Sequence, residues 1–152
     1  MDQTENYQQP DLALLGQEHV RRYQETNGEV GYLWNGVPTL LLTTRGRRTG
    51  EPRTTPLIFA RDGERYLVVA SQGGAPTHPL WYRNLLETPE VKVQVLSEQF
   101  SAMAGAATDD EKPRLWTLVT ETWPNYDVYQ SRTDRIIPVV TLQPIAEPAS
   151  SQ

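Results

Sequence analysis

Arginine side chains are concentrated in one short stretch of the sequence, between two apolar, Thr-rich segments. The stretch reads LLLTTRGRRTGEPRTTPL and holds four of the fourteen basic residues, Arg45, Arg47, Arg48 and Arg53. Guanidinium groups bind phosphate and carboxylate oxygens in bidentate pairs, and the chain as a whole carries a net charge of -5. The pattern therefore indicates a local anion site. A solvated hairpin tip is the alternative that the loop alone leaves open.

The spacing of this loop excludes two common phosphate-binding motifs. GRRTG does not have the GxxxxGK[ST] spacing of a P-loop, and a strand rather than a helix follows it, which excludes a dinucleotide fingerprint. The remaining interpretation is a loop between two strands. It offers the guanidinium groups of the arginines, backbone N–H groups that two glycines leave accessible, and the hydroxyl of Thr49. That combination can hold a phosphate.

Two adjacent glycines form a second candidate site, in the segment Ala70-Ser71-Gln72-Gly73-Gly74. They follow a predicted buried strand, and the missing Cβ atoms would let a ligand approach the backbone closely. An ordinary loop between a strand and a helix would have the same sequence features.

A third candidate is the aromatic series Trp123, Tyr126 and Tyr129 in WPNYDVYQ. In a helix that begins at Pro124, these side chains lie on about one face. Such a stripe is typical of core packing. It could instead wall a pocket for a flat organic molecule, with the phenols as polar groups or proton donors.

Composition excludes several classes of protein. The chain has 152 residues and no cysteine, which predicts one domain without disulfides, thiolate metal sites or a cysteine nucleophile. The two histidines lie far apart in sequence, so no metal site is predicted. An acidic chain argues against broad nucleic-acid binding. No hydrolase motif stands out, whereas a bound cofactor could supply redox chemistry.

Periodicity and breakers predict the order of elements. We expect a disordered arm over residues 1–10, a single domain over residues 11–143, a linker or turn region over Gly28–Gly36 and a tail over residues 144–152. The predicted helices are Asp11–Asn27, Leu80–Thr88, Thr108–Glu121 and Asn125–Arg132. The predicted strands are Val37–Thr44, Arg53–Ala60, Arg65–Ser71, Glu90–Leu96, Ser97–Ala107 and Ile136–Leu142, with Pro138 placing the last one at an edge or on a bulge.

Strands joined by hairpins dominate this order, and no serial βαβ repeat occurs. The fold class predicted is α+β, mainly an antiparallel barrel of about six strands with peripheral helices. The first helix should pack its apolar stripe on the domain, although weak association with a membrane surface is an alternative. The N-terminus lacks the pattern of a signal peptide, so we expect a cytoplasmic protein.

Three blocks of the sequence together resemble the deazaflavin-dependent nitroreductase family. They are LLLTTRGRRTGEPRTTPLIF, RDGERYLVVASQGGAPTHPLWYRNL and PNYDVYQSRTDRIIPVVTL, which occur in the family's order and span Val37 to Leu142. Members of this family are F420-dependent reductases with a split β-barrel fold, related to the FMN-binding pyridoxamine phosphate oxidase type. The resemblance implies coenzyme F420 as the cofactor.

The resemblance also implies a role for individual residues. The phosphate and acidic tail of the deazaflavin would be bound by Arg47, Arg48, Thr49, Gly50 and Arg53. Its ring would lie on Pro56 and Leu57, against Ala70, Ser71, Gln72, Gly73 and Gly74, with Trp81 and Asn84 nearby. Tyr126 and Tyr129 would border the substrate pocket, and one of them could donate a proton.

Two departures from the family pattern affect these expectations. Gln72 stands where the family often has Lys, which removes one cationic contact to the cofactor. Trp123 stands where Tyr is common, which removes a phenol.

The implied activity is hydride transfer from reduced F420 to a quinone, an activated alkene or a nitroaromatic compound. Alternatives are an FMN-dependent reductase on the same barrel and a non-enzymatic deazaflavin-binding protein. For each of these functions, the expected oligomeric state is a monomer or a homodimer.

Overall fold

The structure is a computed structural model that describes residues 16–145. Its helices are α1 (Gly16–Thr26), α2 (Leu80–Glu87), α3 (Lys112–Thr122) and α4 (Asn125–Ser131). Its strands are β1 (Leu33–Trp34), β2 (Val37–Arg45), β3 (Pro52–Ile58), β4 (Ala60–Asp62), β5 (Arg65–Val69), β6 (Glu90–Val95), β7 (Glu98–Ala106) and β8 (Val139–Pro144). The arm predicted over residues 1–10, the first five residues of the first predicted helix and residues 146–152 of the tail lie outside the described residues.

All strand pairs are antiparallel, and the sheet curls into a split barrel. The order is β1-β2-β6-β7-β8-β5-β4, and β3 pairs with β2 outside this path. β3 also approaches β5, but no ladder of hydrogen bonds joins these two strands within the described residues. The α+β split barrel predicted from the sequence is thus confirmed. Within residues 16–145 it has eight strands rather than about six, because the short strands β1 and β4 add to the predicted set.

Alternate residues of β5 serve two different cores. Tyr66 and Val68 point into the barrel, whereas Leu67 and Val69 pack outward against α3 and α4. Because successive side chains of a strand point to opposite faces, a strand buried on both faces is apolar throughout. This explains the nearly continuous apolar run RYLVV and its central place in the sheet.

Tight turns with left-handed residues connect several neighbouring strands. Gly63 adopts a φ of 61° between β4 and β5, where the Asp62-Gly63 pair predicts a turn. Asn35 and Gly36 adopt φ values of 50° and 78° and join β1 to β2. Positive φ at both central residues is typical of a type I′ hairpin. The linker or turn region predicted over Gly28–Gly36 therefore ends in the turn of a hairpin, and the strand β1 before that turn is the part that the sequence pattern does not predict.

The position of the last strand differs from the prediction. β8 lies between β5 and β7 in the interior of the sheet, not at an edge. Pro138 precedes the first paired residue, and its carbonyl accepts a hydrogen bond from Ala70 N at 3.0 Å, so its missing N–H lies outside the ladder. The strand extends to Pro144, which pairs with Ala102 and lies within the stretch predicted as a tail.

Helix α1 is fixed to the barrel by a buried tyrosine. The hydroxyl of Tyr23 donates to Thr39 O at 3.0 Å and accepts from Leu96 N at 2.8 Å. The opposite face carries Arg21 between Glu18 and Glu25. No helix within residues 16–145 is long and apolar enough to cross a membrane.

Candidate active site

A groove between the β2–β3 loop and α2 collects four arginines. It has a volume of about 700 Å³ and is lined by Arg47, Arg48, Arg53 and Arg83, among others. We call it the basic groove. Backbone hydrogen bonds from Gly50 N to Gly46 O and from Gly46 N to Glu51 O, both 2.8 Å long, close the loop. The sequence stretch rich in arginine therefore folds so that three of its four guanidinium groups face one groove.

The basic groove holds more positive charge than its surroundings neutralise. Among the described residues, only Arg47 of these four arginines forms an ion pair, 3.8 Å from the exposed carboxylate of Glu87. A pair at that distance with an exposed carboxylate contributes little to stability. Arginine forks bind phosphate and carboxylate strongly, so an anion is the ligand that this groove favours.

Asn84 connects α2 to the loop. Its Nδ2 donates to Thr44 Oγ1 at 3.2 Å, and its Oδ1 accepts from the amide of Arg47 at 3.3 Å. The side chain is buried, with 5% of its surface exposed. Asn84 thus lines the groove and also fixes the start of the loop that carries the arginines.

Gly50 and Arg45 lie on the other side of the hairpin. Both line a separate groove of about 680 Å³, together with Lys92. Gly50 has a φ of 76°, which the turn requires and which a residue with a Cβ adopts rarely. The structure therefore does not bring Gly50 into the basic groove, whereas Thr49 does line it.

A further cavity lies over the split of the barrel, where β3 passes β5. It has a volume of about 600 Å³, and Pro56 and Leu57 of β3 line it beside Ser71. We call it the aromatic pocket, because its lining includes Trp34, Trp81, Trp123, Tyr126 and Tyr129. Trp81 also lines the basic groove, so the two cavities adjoin at this side chain.

The segment Gln72–Gly74 forms a short turn, here called the glycine turn, with an unusual backbone. Its three residues have φ values of 46°, 63° and 85° in order. Gln72 and Gly73 line the aromatic pocket. Gly74 instead packs under α4, where a Cβ would lie 2.5 Å from Tyr129 O, so only glycine fits. Ala70 is buried inside the barrel, and neither it nor Gly74 lines the pocket.

The phenols of α4 stand at one wall of the aromatic pocket. Tyr126 and Tyr129 pack edge to face, with ring centroids 6.1 Å apart. Burial raises the pKa of Tyr126 well above the ordinary phenol value, and Tyr129 raises it further. The hydroxyl of Tyr126 therefore stays protonated at neutral pH and can serve as a hydrogen-bond donor.

Three side chains at these cavities were not singled out as site residues from the sequence. Trp34 packs against Trp123 with ring centroids 5.6 Å apart, and the Asn35-Gly36 pair is the signal that places it on a hairpin. Arg83 adds a fourth cation to the basic groove from within the WYRNL block. His19 lines the pocket from α1, and its Nε2 lies 2.8 Å from Gly31 O.

Comparisons with known proteins agree with this geometry. Residues 15–144 match the family model described as F420H2-dependent quinone reductase. An F420H2-dependent quinone reductase of Mycobacterium tuberculosis is 47% identical over 128 residues, which cover 82% of this chain and 86% of that protein.

Two solved structures are also similar to the chain. One is described as an F420H2-dependent reductase, with a TM-score of 0.65, 37% identity, and coverage of 70% of this chain and 94% of that one. The other is described as a domain-swapped dimer, with a TM-score of 0.68, 34% identity, and coverage of 84% and 96%. The chain belongs to the F420H2-dependent quinone reductase family.

Proposed function

We propose that this protein is an F420H2-dependent oxidoreductase that transfers hydride from the reduced deazaflavin to a small electron-poor acceptor, with quinones as the leading class. The observation that carries the proposal is the contact between the two cavities. The basic groove adjoins the aromatic pocket at Trp81. Three of the four arginines in the basic groove form no ion pair within residues 16–145. Membership of the quinone reductase family supports the same assignment.

The residues present fit the two ends of this cofactor. The tail carries a phosphate and carboxylates, which match the guanidinium groups of Arg47, Arg48, Arg53 and Arg83. The ring is flat and mainly apolar, which matches a pocket lined by aromatic side chains and by Pro56 and Leu57. Asn84 supports this arrangement, because it holds the arginine loop against α2.

The chemistry assigned to the chain's own residues is binding, orientation and proton supply. A bound reduced deazaflavin supplies the hydride. The walls of the aromatic pocket would hold the acceptor against the ring and exclude water. A quinone that accepts hydride needs one further proton to become a hydroquinone. Tyr126 and Tyr129 are the phenols at the pocket wall that we propose to orient the acceptor or hold that proton.

An FMN-dependent reductase on the same barrel is the competing assignment. FMN also has a flat ring and a phosphate, but it lacks the row of carboxylates that would engage several arginines. Three of the four tryptophans of the chain line the aromatic pocket, so ring binding should quench intrinsic fluorescence. We expect titration to give tight binding of the deazaflavin and weak binding of FMN. Tight FMN binding without deazaflavin binding would contradict the proposal.

Oligomeric state and membrane contact remain separate proposals. A monomer and a homodimer are both proposed, and one of the similar solved structures is described as a domain-swapped dimer. Light scattering after gel filtration distinguishes them. Weak membrane association through the first helix stays a prediction. Val20 and Tyr23 of α1 are buried against the barrel, so their apolar surface is already used in packing.

A further inference from the structure

Arg135, between α4 and β8, reaches the carbonyl groups on both sides of the glycine turn. Its Nη1 donates to Ala70 O at 3.1 Å and its Nη2 donates to Ser71 O at 2.7 Å. Its Nε donates to Ala75 O at 2.8 Å. A guanidinium group has five N–H donors in a fixed plane, which suits it to hold several carbonyls at once. One side chain therefore fixes the entry and the exit of the turn.

A histidine completes the surroundings of Arg135. Nη1 of Arg135 lies 3.0 Å from Nδ1 of His78. Because arginine can only donate, His78 Nδ1 must be the acceptor, which assigns the proton of a neutral ring to Nε2. Burial lowers the pKa of His78, and the charges of Arg135 and Arg83 lower it further, in agreement with a neutral ring.

The backbone of the turn needs such support. Gln72 has a φ of 46° and is followed by two glycines that are also left-handed. A residue with a side chain adopts this conformation only where its surroundings impose it. The carbonyls of Ala70, Ser71 and Ala75 are engaged by Arg135. The amides of Gln72 and Gly73 form no hydrogen bond within residues 16–145, and both residues line the aromatic pocket.

The main chain of Arg135 is in turn fixed to α4. Gln130 Nε2 donates to Arg135 O at 2.8 Å, and Gln130 Oε1 accepts from Ile137 N at 2.9 Å. α4 also contacts the turn directly, since Gly74 packs under Tyr129 O. Arg135 thus links the helix that carries the pocket phenols to the turn that forms another wall.

We infer that Arg135 is a positioning residue: it fixes the glycine turn relative to α4, so that the amides of Gln72 and Gly73 face a ligand ring in the aromatic pocket. Arg135 itself acts through the backbone and does not line either cavity. The identity of the ligand as a deazaflavin rests on the proposed function. The geometry of the turn does not depend on that identity.

The test compares Arg135→Gln and Arg135→Lys with Arg65→Gln. Arg65 is a matched control, because it is also half-buried and pairs with Asp62 and Glu111 away from both cavities. The first readout is amide hydrogen exchange in the cofactor-free protein, at the N–H groups of Gly74 and Ala75. These groups donate to Ser71 O and Gln72 O at 2.9 and 3.0 Å and so report closure of the turn. The second readout is the dissociation constant of the oxidised deazaflavin.

We expect Arg135→Gln to speed exchange at both amides and to weaken cofactor binding, each by about tenfold, since several hydrogen bonds are lost. Arg135→Lys should fall between this variant and the wild type, because lysine keeps the charge but not the fork. Arg65→Gln should lower the melting temperature while it changes exchange at Gly74 and Ala75, and cofactor binding, by less than about twofold.

Folded Arg135 variants with wild-type exchange and wild-type affinity would overturn the inference. Failure of both Arg135 variants to fold, while Arg65→Gln folds, would also overturn it, since Arg135 would then be a general stability residue. If the wild-type protein binds no deazaflavin, the proposed function fails, and the exchange comparison still decides whether Arg135 fixes the turn.

Discussion

The indole N–H of Trp123 donates to the hydroxyl oxygen of Tyr129 across 3.4 Å. Asn125 Nδ2 donates to the same oxygen, also at 3.4 Å. Because this oxygen accepts two hydrogen bonds, its own proton points away from both donors, and no acceptor for it occurs among residues 16–145. Trp123 therefore has no phenol of its own, but its indole N–H helps to orient the phenol of Tyr129. We therefore propose Tyr129 as the donor that the aromatic pocket offers to an acceptor molecule.

The first prediction concerns that hydroxyl. Tyr129→Phe keeps the ring and removes the donor, so we expect kcat for quinone reduction to fall by about tenfold, the equivalent of one hydrogen bond to the substrate. The dissociation constant of the cofactor should change by less than about twofold. Steady-state kinetics and fluorescence titration measure the two quantities. A Phe variant with wild-type kcat would rule out Tyr129 as the donor.

The second prediction separates two arginines of the same hairpin. Arg48 lines the basic groove, whereas Arg45 lines the groove on the other side. We expect Arg48→Ala to weaken deazaflavin binding by about 10- to 100-fold, because a charge-assisted hydrogen bond contributes about 1.5–3 kcal/mol. Arg45→Ala carries the same change in charge and should shift affinity by less than about threefold. Equal losses in both variants would mean that the groove does not direct binding.

The third prediction concerns acceptor size. Trp34 packs on Trp123 and forms part of the pocket wall. Trp34→Ala should widen the pocket, so that kcat/KM for a two-ring quinone rises relative to that for benzoquinone. A shift of this ratio by about tenfold is the scale expected from changed contacts in an apolar pocket. An unchanged ratio would show that Trp34 does not contact the acceptor.

The fourth prediction concerns stability and pH at the β4–β5 hairpin. Arg114 and Arg65 lower the pKa of Asp62 from its ordinary 3.8 to about 2. The fold therefore favours the ionised carboxylate, and this contribution to stability is complete above about pH 4 and is lost as the pH falls toward 2. Asp62→Asn should melt below the wild type at pH 7, and the two melting temperatures should converge toward pH 2. A constant difference across this range would contradict the assigned pairing.

Much of the fold follows from local patterns in the sequence. The apolar run from Arg65 to Val69 predicts a central strand, and the Asp62-Gly63 pair predicts its hairpin. The Asn35-Gly36 pair carries the same kind of signal, but because the two-residue β1 has no strand pattern, the segment is predicted only as a linker or turn region. Without β1, the sequence does not reveal the place of Trp34, which reaches the aromatic pocket because the hairpin folds back on β2.

The part of the site that depends on distant contacts could not be predicted. Arg135 meets the carbonyls of Ala70, Ser71 and Ala75, which lie 60 to 65 residues earlier in the chain. No local periodicity encodes such a contact. Arg45 is the last residue of β2 and Arg47 lies in the loop that follows, so the path of this loop decides that they line different grooves, although they are only two residues apart. The arginine count predicts an anion site, and the fold of the loop decides which arginines form it.

The proposed activity is tested by the oxidation of F420H2 by this protein in the presence of a quinone, measured as the return of deazaflavin absorbance. We expect the protein to catalyse stoichiometric transfer, one F420H2 oxidised for each quinone reduced, and reduced FMN to give little turnover in its place. Binding of the deazaflavin without turnover of any quinone, enone or nitroaromatic acceptor would contradict the claim and identify a cofactor-binding protein instead.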